Sequence, residues 1–267
     1  MELRELESIT ELKKCEQVQL LVWNETVPAV NVASFRAALH AGALVVGAFE
    51  GDELLGFAFG FPSYVDGVVG LHSHLLAVVP SARGRGLGKT LKWFQRDWCL
   101  ARGVTQITWT FDPLQAKNAR LNLEHLGAHV RHYYTDFYGT LGGALNGELP
   151  TDRVVAEWPL NAPQVAALAA GRARPGAEKP AVAGLTCGAD GEPQLRAAQA
   201  ERVWLELPPH IAPQTDLAHA LRWRLALRAA TQPRLDAGYR ASRFVAGGYV
   251  LERPTAQKTQ PKPGNAL

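Results

Sequence analysis

Leu75-Leu76-Ala77-Val78-Val79-Pro80-Ser81-Ala82-Arg83-Gly84-Arg85-Gly86-Leu87-Gly88-Lys89-Thr90-Leu91 is the stretch that decides the fold. An apolar run of strand length meets a proline, passes through a turn with glycine at alternate positions, and opens a helix. Glycines let successive backbone N–H groups approach an anion without side-chain obstruction. The helix N-terminus aims roughly half a positive charge at the same point. The reading is a pyrophosphate held by the backbone of Arg83, Gly84, Arg85, Gly86, Leu87 and Gly88. Arg83, Arg85 and Lys89 supply side-chain charge suited to phosphate.

Upstream, Leu12, Cys15, Val18 and Val22 recur at helical spacing from Ile9, after Ser8 or Thr10 as N-cap, and a second helix is expected around Ser34–Leu39. The period then becomes two. Ala43–Phe49, the Gly51-Asp52 turn and Leu54–Phe61 form a hairpin whose second strand puts Leu55, Phe57, Phe59 and Phe61 on one face. Gly56, Ala58 and Gly60 share the other face, which admits a close neighbour. Leu71–Val79 is the next strand, and the helix from Gly86 to Arg102 is predicted to bury Leu87, Leu91, Phe94, Trp98 and Ala101. A strand at Thr105–Phe111, a helix from Gln115 to Leu126 capped by Gly127, and strands within Ala128–Tyr138 and Arg153–Trp158 follow. That order predicts an α/β domain around a mixed, mostly antiparallel sheet flanked by helices.

The expected division is a domain over residues 1–160, a linker over 161–192 carrying a short helix, a C-terminal half-domain over 193–252, and a disordered tail over 253–267. In the half-domain, a strand at Val203–Leu207, a helix at Asp216–Ala230 and a hairpin at Tyr239–Glu252 repeat the strand, helix, strand, strand order of Thr105–Trp158.

A glycine-rich strand-to-helix turn also serves NAD(P)-binding oxidoreductases. Here the spacing is Gly-x-Gly-x-Gly, the first glycine stands several residues beyond the strand, and an antiparallel hairpin precedes it in place of a βαβ unit. These features favour coenzyme A. Asp112 stands where a ribose-binding acid would, and is also readable as a turn residue before Pro113 or a substrate contact.

The segment LLAVVPSARGRGLGKTL resembles the acyl-CoA signature of the GNAT superfamily. SHLLAV, WTFDPL, NARLNLEHLGA, DFYG and LNGELPTDR resemble a bacterial subfamily of predicted acetyltransferases with a C-terminal extension. The resemblance implies transfer of an acyl group, acetyl or succinyl, from acyl-CoA to the amino group of a small molecule such as an amino acid. It implies a pantetheine arm lying in a gap beside Leu76, Ala77 and Val78, contacted by Asn118, with a backbone N–H of that strand meeting the oxyanion. His74 is the expected base, with His72, Asp112 and Glu124 behind it. The family's usual helix tyrosine, the general acid, is replaced by Leu123, so either Tyr138, the preferred candidate, or Tyr134 takes over, or the thiolate leaves unassisted. Arg153, Arg120 and Arg224 are candidate partners for an acceptor carboxylate. A non-catalytic acyl-CoA-binding module is the alternative, motivated by Leu123 and the appended half-domain.

The 267 residues are 47% hydrophobic with a net charge of only +3, enough for a real core and without the basic footprint of a nucleic-acid binder. Cys15, Cys99 and Cys187 have no metal-ligand spacing, so no metal is expected. A charged N-terminus and the lack of a long apolar run predict a cytoplasmic chain without a membrane partner. A homodimer fused through an edge strand near Val203 is left open.

Overall fold

The computed structural model describes residues 1–23, 29–65, 67–139, 149–208, 211 and 216–253. The predicted tail beyond Arg253 therefore lies outside the described residues. Strand β1 (Glu2–Glu5) leads into helices α1 (Ile9–Trp23) and α2 (Val32–His40). Ser8 caps α1 in a capping box: its hydroxyl accepts from the Glu11 amide, and the Glu11 carboxylate accepts from Ser8. Strands β2 (Leu44–Glu50), β3 (Glu53–Val65) and β4 (Val68–Val78) form an antiparallel meander. The turn then opens α3 (Leu87–Leu100), followed by β5 (Gln106–Phe111), α4 (Ala116–Arg120, continued as π-helix over Leu121–His125), β6 (His129–Tyr134) and β7 (Arg153–Pro159).

The hairpin's two faces behave as their side chains dictate. Phe57 and Phe59 meet Phe35 of α2 edge to face, at centroid distances of 6.1 and 5.0 Å. The Gly56, Ala58 and Gly60 face lies toward α3, whose Gln95 accepts a 2.9 Å hydrogen bond from Ser73, the residue paired with Gly60. The buried seam of α3 is Leu87, Leu91, Lys92, Gln95 and Cys99. It differs from the predicted stripe because Phe94 and Trp98 are only half-buried and Ala101 is exposed. The Lys92 amine lies 3.6 Å from the centre of the Trp109 ring, and burial there pushes its pKa well down.

Helix α5 (Pro163–Ala169) and strands β8 (Ala183–Cys187) and β9 (Pro193–Leu195) follow. The span expected to be a linker thus carries a strand as well as the short helix. Strand β10 (Arg202–Glu206), helix α6 (Leu217–Asp236) and strands β11 (Arg240–Val245) and β12 (Gly248–Glu252) complete the described chain.

All strands among the described residues join one 12-stranded sheet in the order β1-β2-β3-β4-β5-β7-β6-β11-β12-β10-β8-β9. The half-repeat is resolved within that order. β5-β7-β6 is matched by β10-β12-β11, each triplet antiparallel with the last strand in sequence at its centre. The registers of β6 and β11 slip at the same place, between Val130 and His132 in one and between Ala241 and Arg243 in the other. The two strands pair with each other at Val130↔Ala241, so a pseudo-twofold axis passes beside that pair. β10 is interior, flanked by β12 and β8, so Val203 is not on the edge expected from the sequence.

The halves are tied by ion pairs. Arg224 grips both oxygens of Asp112 at 2.6 and 2.8 Å, and Arg228 grips both oxygens of Asp152 at 2.8 Å each. Asp152 also accepts from Tyr133 and from the Asp136 amide, so it pairs with α6 and not with its neighbour Arg153.

Candidate functional site

Parallel pairing of β4 with β5 holds only at Leu71↔Ile107 and His72↔Thr108. Beyond that point the strands part, while β3 continues to pair along β4 as far as Gly56↔Val78. The β5-facing backbone of Ser73–Val78 is thereby left without a strand partner. The expected gap beside Leu76, Ala77 and Val78 is this opening.

A bulge lies at its root. Phe59 pairs with Leu75 and Gly60 with Ser73, so His74 is the extra residue, exposed and turned out of the ladder. Its ring lies 5.5 Å from that of Phe61 and 6.1 Å from that of His72. Across the gap, the Tyr138 hydroxyl is 3.0 Å from Thr110 Oγ1 on β5. Arg153 stands over the Tyr138 ring at 5.3 Å.

Below the gap, Gly84 and Gly86 take φ of 81° and 80°, the left-handed region that glycine enters without a Cβ penalty. Gly86 caps α3 without a side-chain hydrogen bond. No described residue accepts a hydrogen bond from the amides of Gly84 to Lys89. A Cβ added at Gly84 or Gly86 would meet nothing within 4 Å. Open space therefore faces a run of unsatisfied donors at a helix start, which is the geometry an oxyanion fills. Arg83 is exposed, its Nε 3.4 Å from the Val78 carbonyl, whereas Arg85 is engaged by Glu50 at 2.7 Å.

Residues 6–127 match the model of the acetyltransferase (GNAT) family. The chain carries a GNAT acetyltransferase domain. That family is one of acyl-CoA-dependent N-acetyltransferases, and the matched segment contains the glycine turn and the point where β4 parts from β5. Among solved structures, the chain is similar to the ribosomal-protein-S18-alanine N-acetyltransferase of Escherichia coli, with 19% identity and a TM-score of 0.49, over 60% of this chain and 93% of that one. An aminoglycoside 6'-acetyltransferase type Ii shares 21% identity at a TM-score of 0.48, over 60% and 97%. The Salmonella typhimurium protein yncA, solved with its cofactor acetyl-CoA, shares 19% identity at 0.47, over 60% and 94%. No curated protein matches the chain.

Within the GNAT domain the two histidines are not equivalent. Burial first, then the neighbouring His74 and Lys92, press the His72 imidazole down to about 4. Burial also lowers the His74 imidazole. His72 is consequently too weak a base to take a proton from an ammonium, while His74 stays neutral and available near pH 7.

The His72 shift has a consequence for stability. His72 binds its proton near 6.5 in the unfolded chain and near 4 in the folded one, so acid favours unfolding between those values. Its contribution is complete above about 6.5 and is lost as pH falls toward 4, about 3 kcal/mol in all at 1.36 kcal/mol per unit. Urea denaturation of His72→Gln is expected to show a flatter loss of stability than the parent across this window. An unchanged slope would contradict the buried, neutral imidazole.

The remaining sequence candidates are dispersed. Asp112 has both oxygens on Arg224, and one also accepts from the Leu114 amide, so it fastens α6 to the end of β5. Glu124 is held by Arg243 and the Phe244 amide. Leu123 is fully buried, and Asn118 is exposed on α4. Tyr134 is exposed, with its ring 5.4 Å from Phe137.

Sequence reading missed Glu157. By register it follows Phe61, His72 and Thr108 in one row across β3, β4, β5 and β7, and His129 and His132 stand 3.4 and 3.5 Å from its oxygens. Burial opposes its charge, yet the hydrogen bond from His129 and the nearby cations hold its carboxyl low. The signal available was period two in β7, which puts Glu157 on the face of Arg153 and Val155.

Proposed function

We propose that the protein transfers an acyl group, acetyl or succinyl, from acyl-CoA to the amino group of a small molecule, an amino acid being the class that fits its arginines. One observation carries the reading: β4 parts from β5 beside His74, directly above a turn whose amides have no acceptor among the described residues. The turn holds the donor's pyrophosphate, and the pantetheine arm pairs with the open backbone of Leu76–Val78.

His74 takes a proton from the bound ammonium, and the freed nitrogen attacks the thioester carbon. A β4 N–H meets the oxyanion that forms. Collapse breaks the carbon–sulfur bond: Tyr138, whose hydroxyl is positioned by Thr110, gives its proton to the thiolate and takes the second proton of the attacking nitrogen, so that amide and thiol leave neutral and the proton on His74 passes to solvent. Holding amine and thioester together supplies much of the acceleration. Of the arginines proposed for an acceptor carboxylate, Arg224 is committed to Asp112 and Arg120 lies at the end of α4, which leaves Arg153 beside Tyr138 as the one at the gap.

His74→Ala is expected to lower kcat by about a hundred- to ten-thousand-fold with little change in acyl-CoA affinity. The acid limb of the parent's kcat profile should fall below pH 6.5, in line with a lowered imidazole, and vanish in the variant. A variant that keeps both rate and limb would remove His74 from the mechanism. Acyl-CoA binding without turnover of any amine would favour the binding-module reading that the buried Leu123 keeps in view.

A further inference from the structure

The root of the gap has a second side. β4 and β5 are last joined at His72↔Thr108, so Ser73 and Trp109 stand where the strands part. Period two turns both side chains away from the face of His72 and Thr108 and toward α3. There Ser73 donates to Gln95 Oε1 at 2.9 Å, and the Trp109 ring lies 3.6 Å from the Lys92 amine. His74, on the face of His72, and Lys92 thus approach one opening from opposite sides of the sheet.

Two nitrogens of α3 at this rung are unusual for their burial. Gln95 is fully buried, and its Nε2 has no hydrogen-bond partner among the described residues. A buried amide donor left unpaired is costly unless an acceptor arrives from elsewhere. Lys92 is 2% exposed and meets the rings of Trp109 and Trp158 in place of a carboxylate. Burial favours its neutral form, and an amine without its extra proton is a nucleophile.

The inference rests on the acyl-CoA reading above, which brings the donor's thioester along β4 to the rung of His74. We propose that Lys92 is a self-acylation site, taking the acyl group from the chain's own bound acyl-CoA through the α3 side of the gap. The Lys92 nitrogen attacks the thioester carbon while the Gln95 amide donates to the carbonyl oxygen. The carbon–sulfur bond breaks, one N–H proton passes to the departing thiolate, and the products are an Nε-acyl-lysine and free coenzyme A. No further reactant is needed. The resulting amide carries no charge, so it suits the indole surroundings better than an ammonium does.

The test is mass spectrometry of the full chain, intact and after proteolysis, following incubation with acetyl-CoA. Lys92 is expected to gain the acetyl group about ten-fold or more faster than the exposed Lys13, Lys89, Lys117 and Lys179, because the bound donor is held beside it. Lys92→Met, apolar and of similar length, should stay folded, keep its melting-temperature rise with acetyl-CoA and lose the modification. In a Gly88→Asp protein that no longer binds acetyl-CoA the lead of Lys92 should vanish. Its persistence there would mean acylation from solution and overturn the proposal. A parent that binds acetyl-CoA yet leaves Lys92 unmodified, or modifies it no faster than the exposed lysines, overturns the proposal while leaving the donor reading in place. A parent whose melting temperature does not respond to acetyl-CoA overturns both.

Discussion

Gly88→Asp is expected to weaken acetyl-CoA binding by about a hundred-fold or more, with the melting temperature within a few degrees of the parent. The separation of the two effects follows from local geometry. Gly88 is not among the glycines with positive φ, and an added Cβ would meet only Leu76 Cδ2 at 3.7 Å, an ordinary contact. An acidic residue in the first turn of α3 even favours the folded state, by about 0.3–1 kcal/mol. The same carboxylate lies where the pyrophosphate would be, takes up its amide donors and repels it. Gly86→Asp is a poorer test, because at φ 80° any L-residue costs about 1–2 kcal/mol, so lost binding could follow from lost structure. Isothermal titration with a parallel thermal melt checks this. A Gly88→Asp protein that is folded and still binds acetyl-CoA as the parent does would remove the turn from the donor site.

The second large effect concerns the joint between the halves. Arg224 is 2% exposed at its side chain and Asp112 15%, and their two hydrogen bonds are the closest ties between α6 and the end of β5. Arg224→Met should destabilise the chain by about 3–5 kcal/mol, since it strips a carboxylate that is only 15% exposed of its hydrogen-bonded counter-charge and leaves it the Leu114 amide and the more distant Arg153. The double variant Arg224→Met with Asp112→Leu should recover most of that loss, because well-packed apolar groups can replace a buried pair at little cost. Chemical denaturation of the two variants and the parent provides the numbers. If the double variant is no more stable than the single one, the pair contributes more than charge compensation.

Much of the first half was legible because each element carried its own signal. The glycine turn, the Phe57/Phe59 face and the alternation in β5 are local patterns, and the structure places them as read. Strand β1 was missed because Glu2-Leu3-Arg4-Glu5 is a charged edge with no buried face, held by pairing with β2. Strand β8 was missed because Ala183–Cys187 offers Leu185 as its one fully buried large apolar residue.

The stripe of α3 was misread for a different reason. Its inward face lies on small side chains and Trp109, where a lysine and a glutamine find an indole face and a serine hydroxyl. Asp112 looked catalytic because its partner is 112 residues away, and no local spacing announces such a pair. The bulge at His74 is equally silent in sequence, although period two did place His72 and His74 on one face. The pseudo-twofold relation surfaced only as an order of elements until the matching register slips in β6 and β11 gave it residues.

Thermal-shift titration of the full chain with acetyl-CoA, CoA and NAD(P) tests the central claim most directly, because a ligand that binds only the folded state stabilises it by mass action. The account predicts that acetyl-CoA raises the melting temperature, by the equivalent of about 2.7 kcal/mol at a hundred times its dissociation constant, and that NAD(P) does not. A rise with NAD(P) alone, or no response to any coenzyme A species, would contradict it.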